Sequence, residues 1–540
     1  MLIKKHLLLL IMAMLFSTVT AFAQDCDYSG TIGQLQWCLK NETLTISGNG
    51  EMPDYYFQGE PWHEYRAYII TAVVGSGVTS IGSCAFSDCV NLTLITISGS
   101  VTSIGNGAFA SCLSLGSIII PSGVTSIGMQ AFNQCINLTS ITVENANNHY
   151  TSENGVLFDK NKNTLICYPA GKLGAYVIPS SVISIGYEAF IYCANLTSVT
   201  IPGSVISIET GAFSSCTGLT SITISSSVTS IGNRVFRGCT NLTSINVESS
   251  NNSYASEDGV LFDKNKNTLI YCPEGKIGEY VIPGSVTSIG DNSFIFCIGL
   301  TSITIPASVT SIVRIPFSYC TGLTSIIVEN SNSHYASENG VLFDKNKTTL
   351  ICCPAGKTET YIIPGSVISI GDNAFYWCTG LTSITIPSSV KIIGNDVFEF
   401  CYDLTSITNL NPIPVEIYSS VFYGVNQSDC TLKVPISAVS AYENAEVWKE
   451  FNIVGIEVGV ETVEPLVVKV YPNPTSGKLK IENGTSEIED VAIYDIFGKI
   501  QKIENWKTEN TIDISHLPAG VYFVKISTEV GEVTRKVLKE

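Results

Sequence analysis

The stretch "SGVTSIGMQAFNQCINLTSITV", residues 122–143, decides the fold because near copies of it return throughout the chain. Successive phenylalanines of its Phe-x-x-Cys motif lie 23 or 58 residues apart, and 58 is 23 plus 35. Each longer step contains one additional strand signal, of the type Tyr176-Val-Ile. The sequence therefore predicts one ladder of 23-residue units, three of which are enlarged to 35 residues. The motif phenylalanines are Phe86, Phe109, Phe132, Phe190, Phe213, Phe236, Phe294, Phe317, Phe375 and Phe398.

The end of each unit has the pattern of a strand with one buried face. In the quoted unit, Ile141 and Val143 alternate with Ser140 and Thr142, and this two-residue period is typical of a half-buried β-strand. A unit with one strand cannot bury its own apolar side, so we expect the units to stack and to form continuous internal columns. The predicted fold is an all-β-dominated solenoid of parallel stacked strands.

The cysteines follow the same period. Parallel side chains on neighbouring rungs have the wrong geometry for disulfides, and free cysteine is a good small buried residue, so we predict a ladder of free thiols. A disulfide between Cys26 and Cys38 is left open, and the sequence does not assign a state to Cys84, Cys167, Cys272, Cys352, Cys353 or Cys430. The ladder positions are Cys89, Cys112, Cys135, Cys193, Cys216, Cys239, Cys297, Cys320, Cys378 and Cys401.

The enlarged units share a second pattern. The segment "YTSENGVLFDKNKNTLICYPAGK" (150–172) recurs at 254–276 and 335–357. Two apolar runs flank a polar segment in each copy, which predicts a β-hairpin that projects from the stack with a polar tip. The three tips are either contact points for a ligand or decoration without a partner. Their central residues are Lys160, Asn161, Lys264, Asn265, Lys345 and Asn346.

The repeating unit resembles the leucine-rich repeat of the BspA-like (TpLRR) type, with Leu-x-x-Ile-x-Ile/Val-Pro followed by Val-x-x-Ile-Gly-x-x-Ala-Phe-x-x-Cys. The resemblance runs from about Leu44 to about Ile407. Residues 44–66 are similar to the entry segment of that family, which would cover the first unpaired rung. At the other end, residues 436–451 predict a short helix with Ser437 as its N-cap, as part of a terminal cap. BspA-like relatives include adhesins, so the resemblance implies binding to host matrix proteins or other cells.

The N-terminus predicts export. Lys4 and Lys5 precede an apolar run, and small residues at Ala21 and Ala23 complete the pattern of a secretory signal peptide. Removal of residues 1–23 leaves 27 basic residues (29 minus 2) against 47 acidic ones. An acidic exported chain repels phosphate, which argues against nucleic acid as a partner. No later segment is apolar over the ~18 residues that a membrane helix needs.

The C-terminal part leaves the 23-residue period after an acidic linker, and its short alternating strands predict a small β-sandwich. It resembles the type A C-terminal sorting domain of the type IX secretion system. The resemblance implies export through the type IX machinery to the outer cell surface of a Gram-negative bacterium, or release. A sandwich without a sorting role is the alternative. The matching residues are Tyr471, Pro472, Asn473, Pro474, Gly477, Asp495, Gly498, Leu517, Pro518, Gly520, Tyr522, Arg535 and Lys536.

The sequence offers no catalytic constellation. His149 and His334 occupy equivalent positions in two enlarged units, but the third unit has Ser253 there, and no nucleophile elbow, zinc-helix motif or phosphate loop is present. We therefore predict no enzyme activity, cofactor or metal. The remaining candidate site is a Ser/Thr strand face, which serves either as a binding surface or only to avoid stacked like charges. It comprises Ser140, Thr142, Ser198, Thr200, Ser221, Thr223, Ser302, Thr304, Ser383 and Thr385.

These patterns predict six segments and one function. The segments are a signal peptide (1–23), an entry segment (24–75), the repeats (76–410), a C-terminal cap with a short helix (411–456), a linker (457–465) and the sorting domain (466–540). The predicted function is binding of an extracellular protein or glycan in adhesion. The alternative is a surface-coat or spacer protein without a specific ligand.

Overall fold

A computed structural model describes residues 26–56, 59–457, 468–482, 488–496, 499–505, 511–528 and 531–540. The predicted signal peptide, nearly all of the predicted linker and Gly498 of the sorting motif lie outside these residues. The chain divides into two compact units, Met1–Ile456 and Glu457–Glu540. The first unit is the predicted solenoid and the second consists of antiparallel sheets, so the predicted fold class is confirmed.

One side of the solenoid is a stack of long parallel strands. Neighbours pair in register, so that Ser140 lies beside Ser117 and Ile141 beside Ile118. Because successive side chains of a strand point to opposite faces, the isoleucines enter the core and the Ser/Thr residues face outward. The long strands are Thr43–Gly48, Thr71–Val74, Leu94–Ile97, Ser117–Ile120, Ser140–Val143, Gly174–Val177, Leu196–Thr200, Ser221–Ile224, Ser244–Val247, Gly278–Val281, Leu300–Ile305, Ser325–Val328, Glu359–Ile362, Leu381–Ile386, Ser406–Asn409, Thr431–Pro435 and Asn452–Ile456.

A second side of the solenoid is built from shorter strands. They also pair in parallel, as Ile104 does with Ile127. The short strands are Gly50–Glu51, Val78–Ile81, Ser103–Ile104, Ser126–Ile127, Thr164–Cys167, Ser184–Ile185, Ser207–Ile208, Ser230–Ile231, Thr268–Tyr271, Ser288–Ile289, Ser311–Ile312, Thr349–Cys352, Ser369–Ile370 and Ile392–Ile393.

The third side consists of stacked turns that carry the Phe-x-x-Cys motif. The N–H of Phe109 donates to the carbonyl of Ala131 in the next unit at 2.9 Å. The ring of Phe109 stacks between Phe86 and Phe132, with centroids 5.5 and 5.8 Å away. The stacked turns thus join neighbouring units through both backbone hydrogen bonds and ring contacts.

The ten ladder cysteines are buried and free, which confirms the predicted thiol ladder. The structure adds a role that the spacing did not indicate. The thiol of Cys112 donates to the carbonyl of Phe86 at 3.1 Å, and that of Cys135 to Phe109 at 3.1 Å. Each of these carbonyls also accepts a backbone N–H of its own unit, from Cys89 to Phe86 at 3.3 Å and from Cys112 to Phe109 at 3.2 Å. The weak S–H donor therefore adds a second hydrogen bond to a buried acceptor.

The enlarged units differ from the prediction. The expected hairpin forms between Val156–Asp159 and Thr164–Cys167, but a further strand, Tyr150–Glu153, precedes it and pairs antiparallel with Val156–Asp159. The expectation that the hairpin projects from the stack is wrong, because Val156–Phe158 is fully buried. Three consecutive apolar residues give a strand that is covered on both faces. Equivalent strands of the other two units are Tyr254–Glu257, Val260–Asp263, Tyr335–Glu338 and Val341–Asp344.

Each buried hairpin strand divides the core. Leu157 packs with the units before the hairpin, whereas Val156 and Phe158 pack with the units after it. The same division recurs at residues 260–262 and 341–343. The solenoid therefore has four successive hydrophobic blocks separated by three hairpins.

The entry segment closes the first block. Its strands Tyr28–Ile32 and Leu35–Lys40 pair antiparallel with each other, and Leu35–Lys40 also pairs antiparallel with the first long strand. A disulfide joins Cys26 to Cys38. After the short 3₁₀ turn His63–Tyr68, the chain enters the regular repeats. The buried ring of Trp62 lies 6.0 Å from Phe86 and continues the phenylalanine column into this segment.

The terminal cap corrects a second prediction. In place of one helix over 436–451, the chain forms the 3₁₀ turn Ile436–Ala438, the α-helix Val439–Glu443 and the 3₁₀ turn Trp448–Glu450. Ser437 is not the N-cap, which is Ala438 without a side-chain hydrogen bond. The helix ends at Glu443, and Val447, at a positive φ of 67°, directly precedes the 3₁₀ turn at Trp448. A further 3₁₀ turn, Ser419–Phe422, precedes these elements.

The second unit contains two antiparallel sheets, and buried and exposed residues alternate clearly in the strand Lys478–Glu482. Buried Leu479, Ile493 and Val524 belong to its hydrophobic core. Within the described ranges of the whole chain, no helix has the length and apolar character needed to cross a membrane. The first sheet contains Lys469–Tyr471, Lys478–Glu482 and Thr511–Asp513, and the second contains Ile500–Asn505, Ile488–Asp495, Gly520–Thr528 and Gly531–Lys539.

Candidate binding surfaces of the solenoid

The outer face of the long strands carries the ten candidate Ser/Thr residues, all of which are exposed or half-buried. Registered pairing aligns Ser221 with Ser244 and Ser302 with Ser325, so the hydroxyl groups form columns along the stack. The columns are interrupted at each hairpin, where the long-strand sheet is broken. The face is thus a series of hydroxyl-rich panels rather than one continuous surface.

Exposed aliphatic residues lie on the same face, a feature that the sequence interpretation missed. The first strand of each block after a hairpin places Val177, Val281 or Ile362 outward, with 68%, 63% and 67% of the side chain exposed. Val177 lies directly beside Thr200 of the neighbouring strand. The alternation in Tyr176-Val-Ile was the available signal, because it puts the middle residue on the solvent side. Each panel therefore begins with an apolar contact group next to hydroxyls.

The six predicted tip residues are all exposed. The lysine amines, however, are used within the hairpin: Nζ of Lys160 donates to the carbonyl of Asn147, and Lys264 and Lys345 make the equivalent contacts. Neighbouring lysines pair with glutamates, as Lys162 does with Glu153 at 2.5 Å. The tips are consequently firmly held, and Asn161, Asn265 and Asn346 are their outward amides.

A buried asparagine anchors each hairpin and was not recognised from the sequence. Nδ2 of Asn147 donates to the carbonyls of Pro121 and Val124, both at 2.9 Å. Its Oδ1 accepts the N–H groups of His149 and Tyr150, both at 2.8 Å. Asn251 and Asn332 make the same four bonds. Repetition of an asparagine at this position in all three enlarged units was the signal that could have revealed this role.

An aromatic cluster lies on the turn side of the C-terminal half, in the two variable positions of Phe-x-x-Cys. Phe296 stacks on Tyr319 at 4.4 Å, and Tyr319 lies 4.9 Å from Trp377. The guanidinium of Arg237 lies 5.3 Å from the Phe296 ring centre. These rings are half-buried, because neighbouring rings cover one another's faces. The cluster was missed because the sequence interpretation treated the variable positions as spacers.

Among the residues that the structure describes, the titratable groups do not form a catalytic arrangement. The four histidines of the described residues, His63, His149, His334 and His516, are all exposed. Within that part of the chain, no three His, Cys, Asp or Glu residues are grouped to hold a metal ion. Buried Glu274 is unusual among the acidic residues because its burial raises its pKa to about 7. Its Oε1 accepts hydrogen bonds from the Gly238 N–H and the Tyr271 hydroxyl.

Comparison with known families agrees with this geometry. Residues 64–165, 163–260, 265–349 and 352–453 match the BspA type leucine rich repeat region. The chain belongs to the BspA type leucine rich repeat family. Residues 469–540 match the secretion system C-terminal sorting domain. Neither match is to a family of enzymes. Among curated proteins, none matches the chain.

Several solved structures of leucine-rich repeat proteins are similar to this chain. A leucine-rich repeat protein from Eubacterium ventriosum is 29% identical, with 57% of this chain and 92% of that chain covered and a TM-score of 0.40. A leucine rich cell surface protein from Faecalibacterium prausnitzii is 28% identical, with 72% and 96% covered and a TM-score of 0.40. A leucine-rich repeat protein from T. pallidum is 25% identical, with 40% and 91% covered and a TM-score of 0.25.

The sorting motif of this BspA type protein joins the start and the end of its second unit. Asn473 donates to the Lys536 carbonyl at 2.8 Å and accepts the Leu538 N–H at 2.8 Å. Tyr522, in the strand that begins at Gly520, donates its hydroxyl to the Pro518 carbonyl at 2.9 Å. The flanking Pro472 and Pro474 both follow cis peptide bonds. A sorting domain of this type implies secretion to the outer surface of a Gram-negative bacterium.

Proposed function

We propose that the solenoid is a binding module at the outer cell surface and that the outer face of its long strands binds an extracellular protein or glycan in adhesion. One observation carries the proposal: each block after a hairpin presents a strongly exposed Val177, Val281 or Ile362 beside hydroxyl groups. Exposed apolar groups mark interaction sites where they form a contiguous patch with a polar rim, and we infer such a patch where each of these side chains borders the hydroxyl columns. Repetition along a stiff stack multiplies weak contacts with an extended partner.

The rest of the chain supports the same role. The caps, the thiol ladder and the buried asparagines stabilise the stack without contributing chemistry, so we propose that the protein is not an enzyme and needs no cofactor. Its net charge of −18 disfavours nucleic acid as a partner. Residues 466–540 are the proposed contact with the type IX secretion machinery, in line with the sorting-domain match.

The hairpin tips are a second proposed contact surface. Asn161, Asn265 and Asn346 lie at equivalent tips, and the engaged lysines hold each tip in one conformation. A surface that is ordered before binding loses less conformational entropy when a ligand binds. The competing proposal, a spacer or coat protein, needs neither surface to have a partner.

The test is binding of the exported protein to an array of matrix proteins, mucins and glycans. We expect saturable binding to one ligand class. Three variants accompany the wild type: Thr200→Lys/Thr223→Lys on the outer face, Asn161→Ala/Asn265→Ala/Asn346→Ala at the tips, and Ile206→Lys/Thr229→Lys as an exposed control. Self-assembly of the folded protein without binding to any array member would contradict the proposal and support the coat protein.

A further inference from the structure

The phenylalanine column is interrupted where the first and third hairpins enter the stack. Beyond Phe132 lies a cavity of about 210 Å³, which we call the first cavity. Beyond Phe317 lies a cavity of about 150 Å³, the third cavity. Each is partly open to solvent. The lining includes the motif phenylalanine, a leucine of the buried hairpin strand and a cysteine, together with polar residues such as Asn133 and Glu188 in the first cavity and Arg314 and Asp372 in the third. The leucine and cysteine are Leu157 and Cys167 in the first cavity, and Leu342 and Cys352 in the third.

The second hairpin has an internal occupant at the equivalent place. The three aligned segments are "ICYPAGK" (166–172), "IYCPEGK" (270–276) and "ICCPAGK" (351–357), so Tyr271 replaces Cys167 and Cys352. The Tyr271 ring is buried and packs against Phe236, with ring centroids 5.8 Å apart. Its hydroxyl donates to Glu274 at 3.1 Å.

The exposure of the motif phenylalanines shows the effect of this occupant. Phe132 and Phe317 retain 7% and 5% of their surface, whereas Phe236, which Tyr271 covers, retains 1%. The first and third cavities therefore expose ring surface that the second hairpin covers with an aromatic side chain of the same chain.

The walls of the two cavities are suited to an uncharged ring. Burial raises the pKa of Cys167 to about 12 and also raises the pKa of Cys352, so both thiols stay protonated at neutral pH. An apolar protein cavity of about 150 Å³ is large enough to bind benzene. Ala170 and Ala355 replace Glu274, so neither cavity has the acceptor that holds the Tyr271 hydroxyl. At that position a phenyl group matches the cavities better than a phenol, whose hydroxyl would lack the carboxylate that Glu274 offers to Tyr271.

We propose that the first and third cavities are sockets for phenylalanine side chains of a protein ligand. Tyr271 is the internal counterpart that shows which chemical group fits. This inference rests on the proposed binding function and specifies one kind of contact for it. The sockets lie in the first and third hairpins, one on either side of the position that Tyr271 fills in the second. This arrangement favours a ligand that presents two separated phenyl groups.

The test exchanges the occupants between hairpins in the full exported chain. Cys167→Tyr/Ala170→Glu fills the first cavity, Cys352→Tyr/Ala355→Glu fills the third, and Tyr271→Cys/Glu274→Ala opens the second. The probes are toluene and the peptide acetyl-Gly-Phe-Gly-amide, with acetyl-Gly-Ala-Gly-amide as control, and binding is followed by ligand-detected NMR and by stoichiometry in crystals soaked with each probe.

We expect two toluene sites in the wild type, one in each filled variant, none when both cavities are filled and three in the opened variant. The phenylalanine peptide should follow the same series, and the alanine peptide should not bind. Sites that do not change across the series would overturn the sockets. Toluene binding without peptide binding would also overturn them, because it assigns the cavities to free aromatic molecules.

Two further readouts keep this inference separate from the proposed function. Circular dichroism and hydrogen exchange identify any variant that does not fold, and in that case Ala170→Leu and Ala355→Leu serve as smaller filling substitutions. The doubly filled variant is then applied to the ligand array. Loss of array binding supports the sockets, whereas full array binding overturns them and leaves the outer-face proposal intact.

Discussion

The thiol of Cys216 lies 3.1 Å from the carbonyl oxygen of Phe190, the phenylalanine of the preceding Phe-x-x-Cys motif, and donates a hydrogen bond to it. The same bond joins Cys239 to Phe213 at 3.0 Å and Cys320 to Phe294 at 2.9 Å. These three thiols thus add a second hydrogen bond to a buried carbonyl, which also accepts a backbone N–H of its own unit, as Phe190 does from Cys193 at 3.2 Å. That double role explains why the position is cysteine and not simply a small apolar residue.

Replacement of Cys216 should separate the two roles. Cys216→Val keeps an apolar side chain but removes the thiol donor, while the Phe190 carbonyl still accepts the Cys193 N–H at 3.2 Å. We therefore expect a loss of about 0.5–1.5 kcal/mol in the stability of the second block. Cys216→Ser keeps a donor and should cost less than Cys216→Val. Hydrogen exchange of residues 174–247 measures this local stability, with Cys84→Ala, at a half-buried cysteine, as the control. Equal protection in the serine and valine variants would show that the hydrogen bond has no energetic role.

The thiol ladder should make the solenoid sensitive to alkaline pH. Burial raises the pKa of Cys112, Cys216 and Cys297 well above the ordinary value of 9.0. Unfolded thiols lose protons above pH 9 while the folded ones keep them, so the stability from this source is complete below pH 9 and decreases as the pH rises further. The urea concentration at the midpoint of unfolding should be similar at pH 7.0 and pH 8.5 and lower at pH 10.0. An unchanged midpoint at pH 10.0 would exclude the effect.

Glu274 should add a second pH dependence near neutrality. The pKa of Glu274 in the folded protein is about 7, above its ordinary value of 4.5. Its contribution to the free energy of unfolding is therefore fully present below pH 4.5 and is lost as the pH rises through 7. Glu274→Gln keeps the shape without the charge, and we expect it to stabilise the second hairpin at pH 8 relative to the wild type. Hydrogen exchange of residues 254–281 at pH 5.5 and 8 tests this. A glutamine variant with the same pH dependence as the wild type would assign it to another group.

The buried asparagines should be essential for the hairpins. Asn147→Ala removes four hydrogen bonds, including the one to the Val124 carbonyl and one of the two that the Pro121 carbonyl accepts, so we expect a loss of about 2–4 kcal/mol in the first hairpin. The adjacent, exposed Asn148→Ala is the matched control and should change little. Limited proteolysis at residues 144–163 reports the difference. Equal proteolysis of the two variants would contradict the anchoring role.

The sequence predicted the stack well because the 23-residue period fixes which side chains become neighbours. Phe132 and Cys135 must lie on internal columns once identical units are stacked. The hairpins were harder: the two-residue turn at Asn154-Gly155, with both φ angles positive, was overlooked although this dipeptide is a strong hairpin signal. The carbonyl of Gly155 accepts the N–H of Ile141 at 2.9 Å, and this hydrogen bond holds the hairpin inside the stack.

The candidate site was only partly predictable. The Ser/Thr columns follow directly from strand alternation at Ser140 and Thr142, so their placement was accessible from sequence. The aromatic cluster around Tyr319 and Trp377, and the cavities beyond Phe132 and Phe317, depend on which non-repeated side chains meet across units. Such meetings are set by the three-dimensional stacking of variable positions, which a repeat pattern does not specify.

The central claim is that the outer long-strand face binds the extracellular ligand, and one measurement tests it most directly. The dissociation constant of the ligand identified on the array is measured for the wild type, for Thr200→Lys/Thr223→Lys and for the exposed control Ile206→Lys/Thr229→Lys. Both variants add two charges to the same block, but only the first places them on the outer face. Burial of an unpaired charge in an interface costs several kcal/mol, so we predict binding at least about tenfold weaker for the face variant and unchanged binding for the control. Equal affinities for all three proteins would contradict the claim.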